Sequence, residues 1–505
     1  MLFNSPEFLF LFLPAAVLLH FTLARWSMRA AIAGTTVSSL VFYAWWNPPY
    51  LVLPVASIVA NFWLGRRIAA AEPPVSRGLL IAGIAANVAV LCYYKYADFL
   101  MSVIDGHKAV PPNVPLALSF TTFVQIAFLV HVYQKRIAMP FNNYALFVAF
   151  FPHLIAGPIV RWGSLGRQIG DPARYRVDWD NVALGLTILI FGLAKKVLIA
   201  DPLAPHVAGV FDAAARGDPV TAFAAWAACF CFVAEIYFDF SGYSDMAVGL
   251  GLLFNFRLPI NFAAPLRAVN MFDLWRRWHI TLSRLARDLV YVPLSRGEPG
   301  VLRRSFNLML TMILIGVWHG AGWTFVAWGA INGVLLLINQ AWQAVWGPGR
   351  KTASGRFLGC ALTFTAFAAG GVFFRATDID AAWHILKAMS GFGDAVAAGA
   401  ITMEWDDWLI RRGYVSAPFV LSWFGTTWSI IGTLWTALAL AIAWLVPDTM
   451  EITGYREGDA QSNWRRPVGI LAWRPSPVVL VAMSLLFVGA FASLGRVSEF
   501  LYYQF

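Results

Sequence analysis

The sequence predicts an all-α polytopic membrane protein, built as one integral domain over residues 1–505. Three observations predict it. The chain is 59% hydrophobic and only 13% charged, whereas a soluble domain carries about a quarter charged residues. Apolar runs recur along its whole length, and about 20 apolar residues are what one helical crossing needs. Basic residues collect in every second linker of the first third, which is the charge pattern of cytoplasmic loops. Together these predict roughly eleven to thirteen spans or re-entrant segments.

The elements follow in order. Apolar runs near 7–24, 30–46, 50–65, 78–104, 114–133 and 143–157 predict the first six helices. The first, "FLFLFLPAAVLLHF", lacks a basic leader and a clean cleavage site, so it predicts a retained span and not a signal peptide. Arg25 and Arg29 follow the first run, Arg66, Arg67 and Arg77 the third, and Lys135 and Arg136 the fifth. Placing those linkers in the cytoplasm puts the N-terminus outside. Trp26, Trp45, Tyr50 and Tyr133 stand near span ends, where amphipathic rings settle at the membrane surface.

The alternation breaks after Phe151. "GPIVRWGSLGRQIGDPARYRVDW" is basic where an outside loop is due. "EIYFDFSGYSD" sets Glu235, Asp239 and Asp245 among apolar residues. "MFDLWRRWHITLSRLARDLVYVPL" is too charged to face lipid. Such segments persist at membrane depth only where protein or a water-filled cavity covers them. Residues 151–340 are therefore expected to form re-entrant structure around a polar cavity and to hold the catalytic core. Further on, "TDIDAAWHILKAMSGFGDA" predicts a short amphipathic helix and a turn. "PDTMEITGYREGDAQSNWRRP" predicts a polar surface loop, and Val478 to Leu494 a last span.

The net charge of +10 is what basic cytoplasmic loops supply in membrane proteins generally. No nucleic-acid recognition module is visible. An acidic carrier protein or an anionic cofactor is the functional reading of the same charge. Cys92, Cys229, Cys231 and Cys360 all lie in apolar runs and form neither a disulfide nor a zinc framework. No metal is expected, because no third ligand stands at metal spacing beside any histidine pair.

Two histidines carry the candidate chemistry. "DLWRRWHITLSRLARDLVYVP" reads as one helix, with Asp273 as N-cap, Pro293 as stop and an apolar stripe of Trp275, Trp278, Leu282, Leu285 and Leu289. His279 sits at the edge of that stripe. His319 ends the uncharged run "FNLMLTMILIGVW", where Gly320 or Gly322 serves as the C-terminal stop. His279 to Pro293 and Phe306 to His319 are both about 20 Å at the helical rise. If the arms fold back across "LSRGEPGVLRR", both imidazoles reach similar depth, far from the basic turn. Intramembrane ionisable residues mark function by default. His20, His131, His153, His206 and His384 read instead as hydrogen-bonded structural residues.

Several long motifs, in order, carry a resemblance: "MLFNSPEFLFLFLP", "FFPHLIAGPIVR", "YFDFSGYSDMAVGLGLLFNFRLPINFAAPL", "FDLWRRWHITLSRLARDLVYVPL" and "GVWHGAGWTFVAWGAINGV". With them the chain resembles the membrane-bound O-acyltransferases (MBOAT), in particular the bacterial branch of the alginate O-acetylation protein AlgI. The likeness runs over nearly the whole chain. It implies a multi-helix fold with re-entrant helices around a central funnel or tunnel, in the bacterial inner membrane. The family's near-invariant histidine falls on His319 and its second polar position on His279.

The resemblance also implies the reaction. The donor is a cytoplasmic acyl thioester, acetyl-CoA or an acyl carrier protein, used as substrate with no bound cofactor. The acyl group crosses the membrane, and a periplasmic acetyltransferase of the SGNH type modifies an exopolysaccharide such as alginate or cellulose. His319 is the expected general base, since a neutral imidazole can take the proton of an attacking hydroxyl. His279 positions the donor or assists the thiolate. Arg296, Arg303 and Arg304 are expected to meet an acidic carrier or CoA phosphates. The terminus "FLYYQF" is similar to an F-x-Y-x-x-F ending of such systems, which makes Tyr502 a candidate acyl acceptor. D-alanyl or longer-acyl transfer to an envelope polymer is the alternative enzyme, and a transporter or channel the alternative class.

Overall fold

The computed structural model describes residues 1–45, 47–106, 114–137, 139–297, 300–347, 352–392, 410–412, 428–456 and 472–494. Helices, turns and extended connections make it up, with no strand among the described residues. In chain order the helices used below are α1 (Leu13–Ala24, continuing a π-turn at Phe8–Phe12), α2 (Met28–Ala44), α3 (Val52–Ala70), α4 (Val75–Asp105), α5 (Leu118–Lys135) and α6 (Phe141–Ala149). Next come α7 (Trp179–Ala194), α8 (Asp201–Arg216), α9 (Ala222–Leu253), α10 (Met271–Arg277), α11 (Ile280–Ala286), α12 (Val301–His319) and α13 (Trp323–Trp346). The last are α14 (Ala353–Arg375), α15 (Ile379–Lys387), α16 (Ile430–Leu445) and α17 (Pro477–Ala492).

Among the described residues, eight helices are long and apolar enough to cross a membrane. The fold is all-α and polytopic, as expected. The eleven to thirteen expected segments included re-entrant ones; α1 and α17 are shorter apolar helices beside the eight. The chain divides into two compact units. One holds Met1–Ala194, Ser241–Asn261 and the residues from Thr449; the other holds Lys195–Phe240 and Phe262–Asp448.

The first unit is built on aromatic and close backbone packing. Phe3 meets Phe8 at 5.0 Å and stacks on Tyr243 at 4.9 Å, and Phe42 meets Phe151 at 5.3 Å. Such rings bury large apolar area in defined orientations. Lipid tails are as apolar as leucine, so helices in a membrane are also joined by small residues and polar bonds. Asn87 Nδ2 of α4 donates to Asn61 Oδ1 of α3 at 2.7 Å, and Ser57 Oγ donates to Gln125 Oε1 of α5 at 2.7 Å. Gly185 and Gly192 of α7 lie against Gly249 and Gly242 of α9: a Cβ on Gly192 would stand 2.5 Å from the Gly242 oxygen. His20 bonds Thr35 through Nδ1 at 2.7 Å and His153 bonds the Phe147 carbonyl at 3.0 Å, so both take structural roles.

The second unit contains α8, the early part of α9, and α10 to α16. Its α12–α13 hairpin is tight because two glycines let the backbones meet. A Cβ on Gly316 would lie 2.3 Å from the Phe325 oxygen, and one on Gly329 2.6 Å from the Met312 oxygen.

Two expectations are corrected here. "EIYFDFSGYSD" is not re-entrant but lies within the uninterrupted α9. Its acids are buried against protein, and Asp239 is ion-paired to Lys196 at 2.7 Å, so charge at this depth does not break the helix. The segment 273–293 is not one helix. Asn270, not Asp273, is the N-cap, accepting from the Asp273 N–H at 2.9 Å. The helix then breaks at Trp278 and His279, and a π-turn at Arg287–Tyr291 precedes Pro293. Elsewhere, α15 forms with Asp378 as N-cap. The expected polar loop opens on a short helix, Thr449–Thr453, and its residues 457–467 lie outside the described residues.

Candidate functional site

The site begins with the break between α10 and α11. Asp273 Oδ1 accepts from Arg277 Nε at 2.8 Å, and the Arg277 carbonyl accepts from the Ala263 N–H at 3.1 Å. Trp278 is extended, with its ring against Phe262 at 5.2 Å and Phe367 at 5.1 Å. His279 is then forced left-handed, at φ +42° and ψ +53°. That conformation costs a residue with a Cβ about 1–2 kcal/mol and persists because its surroundings over-determine it. The chain turns helical again at once, with the His279 carbonyl accepting from the Ser283 N–H at 3.0 Å.

The second imidazole arrives on a regular helix. His319 is the last residue of α12, which ends because Gly320 is extended. The two rings lie with centroids 6.4 Å apart. His279 is 1% and His319 7% exposed. Aromatic rings enclose both. Phe240 meets His279 edge-on at 4.7 Å. Trp318 lies 6.1 Å from His279 and 4.9 Å from His319. Trp328 and Phe374 flank His319 at 5.3 and 5.1 Å. A neutral imidazole pairs one N–H donor with one acceptor nitrogen.

The structure brings His279 and His319 together, as the hairpin arithmetic anticipates, although the first arm is broken and not straight. Arg296, Arg303 and Arg304 are exposed at the other end of α12. There Arg303 Nη2 donates to the Leu294 carbonyl at 3.2 Å, and Asn307 Nδ2 to Ser295 Oγ at 3.1 Å, tying the two arms at their base. Arg304 and His319 are about 22 Å apart along the helix. Tyr502 lies outside the described residues. Gly320 does not leave open space, since a Cβ there would meet the Phe325 ring at 2.0 Å. Sequence reasoning missed the enclosing residues Phe240, Trp318, Trp328 and Phe374. The motif "GVWHGAGWTFVAW" carries two aromatics, Trp318 and Trp328, that meet His319, and that density is the available signal.

The comparisons with known proteins place the chain in a family. The model of the MBOAT, membrane-bound O-acyltransferase family matches residues 9–346, which include both histidines. The chain is 37% identical over 445 residues to the peptidoglycan O-acetyltransferase of Helicobacter pylori, covering 81% of this chain and 84% of that one. It is 40% identical over 408 residues to the probable alginate O-acetylase AlgI of Azotobacter vinelandii, covering 78% and 79%. The probable alginate O-acetylase AlgI of Pseudomonas aeruginosa is 34% identical over the full length of both chains. With the family model matching residues 9–346 and these relatives 34–40% identical, the chain belongs to the membrane-bound O-acyltransferase family and is an O-acyltransferase.

Proposed function

We propose that this protein takes an acetyl group from a cytoplasmic thioester and passes it across the bacterial inner membrane for O-acetylation of an envelope polysaccharide, with His319 as general base. The observation that carries the reading is the approach of His279 and His319 to 6.4 Å, both buried among aromatic rings. The names of the relatives support acetyl as the group and a polymer as its destination.

The step balances without a metal or redox partner. The acceptor hydroxyl oxygen attacks the thioester carbonyl carbon while His319 takes the hydroxyl proton. The C–S bond breaks, and the leaving thiolate recovers that proton from the imidazolium. His279 orients the donor or the leaving sulfur by hydrogen bonding. The donor is acetyl-CoA or an acetylated carrier protein. Its anionic part meets Arg296, Arg303 and Arg304, so its reactive end reaches about 22 Å to the imidazoles. Tyr502 serves as an acyl acceptor on the way to a periplasmic SGNH-type acetyltransferase, and the N-terminus is periplasmic.

The test is polymer-bound ester acetate in cells carrying His319→Ala at matched protein levels. A general base contributes about 10²–10⁴-fold, so acetylation falls to background. Normal acetylation would sink the assignment. Tyr502→Phe is expected to stop transfer as well, and labelled acyl-tyrosine is expected in the parent protein.

A further inference from the structure

α9 carries Glu235 and Asp239 one turn apart, both buried. Lys196 reaches Asp239 from the π-turn Lys195–Ala200, a helix distortion found often at functional sites. Its Nζ lies 2.7 Å from Asp239 Oδ1 and 2.8 Å from Asp201 Oδ1. The Lys196 and Asp239 side chains are only 2% and 3% exposed. Arg375 closes α14, with its guanidinium 5.6 Å from the Phe211 ring centroid.

Burying such a group is costly, and well-packed apolar residues often stabilise a fold as well or better. Position gives these charges a use. Asp239 is bonded directly to Phe240, the ring that meets His279. Arg375 is bonded directly to Phe374, a ring that meets His319. Turning α9 by one residue would swing Phe240 through about 100° and away from the imidazole.

We propose that the Lys196–Asp239 pair is a positioning site: it fixes the rotation of α9 so that Phe240 keeps its edge-on contact with the His279 imidazole. The proposal rests on the catalytic reading of that imidazole. The pair acts through the Phe240 ring.

The experiment is a double-mutant cycle in cells. It reads the rate at which polymer-bound acetate accumulates after induction, per unit of folded protein. Asp239→Asn and Phe240→Leu are each expected to slow the rate about tenfold, since small misplacements at a reacting centre cost up to about 10²-fold. Asp239→Asn in the Phe240→Leu background is expected to cost nothing more, because residues acting through one another are not additive. Lys196→Arg, which keeps the charge, is expected to recover most of the rate that Lys196→Met loses. Multiplying effects, or a normal rate per folded molecule in Asp239→Asn, would overturn the proposal. If single variants do not fold, Lys196→Met/Asp239→Leu replaces the pair by apolar residues; it is expected to fold and stay slow, and a normal rate overturns the idea. His319→Ala is the reference. Its full activity would sink the catalytic reading itself, whereas an inactive His319→Ala beside a normal Asp239→Asn removes only the positioning role.

Discussion

His279 joins a strained backbone to a buried imidazole. The backbone turn at φ +42° is one that glycine adopts freely, and the imidazole it carries is 1% exposed. Gly320→Leu is expected to lower both the thermal unfolding midpoint in detergent and the acetylation rate, because its side chain enters the space of the Phe325 ring; unchanged values of both would refute it. The pairing of His279 with His319 was legible, since helix rise and a turn suffice to compare depths. The left-handed break was not. It is imposed by Phe262 and Phe367 on Trp278, and no local pattern announces a ring that arrives from a distant segment.

Among elements, the α12–α13 hairpin sets the depth of His319. Its seam depends on Gly316 and Gly329, whose missing side chains let two backbones touch. Gly329→Leu would be overpacked, an error that costs typically about 1–3 kcal/mol. The expected result is a clearly lowered melting temperature in detergent with acetylation reduced in step. A melting temperature equal to that of the parent would disprove the seam. α9 teaches the opposite lesson about legibility. Its acids read as a break because charge in an apolar run lacks a visible partner. The partner, Lys196, sits on another helix, and once paired the helix continues unbroken. The first helices were legible almost to their ends, because length, apolarity and flanking arginines are local properties.

Across the molecule, polar bonds between spans should outweigh their number. Asn87→Leu removes the donor to Asn61 on α3, and interhelical bonds in membranes are worth about 0.6–2 kcal/mol. A melting temperature lowered by a few degrees is expected, with acetylation per folded molecule unchanged; a stabilised variant would contradict the account. The seam of α7 on α9 works by another principle. Gly185, Gly192, Gly242 and Gly249 bring backbone against backbone. Glycine has no rotamers to lose. Closing those four positions therefore freezes no side-chain motion, and warming releases none there. Elsewhere in the fold, heat loosens side chains before it separates helices. At these four positions the glycines themselves have nothing to loosen, and what motion the seam allows is left to the Met246, Leu252 and Leu253 side chains beside it.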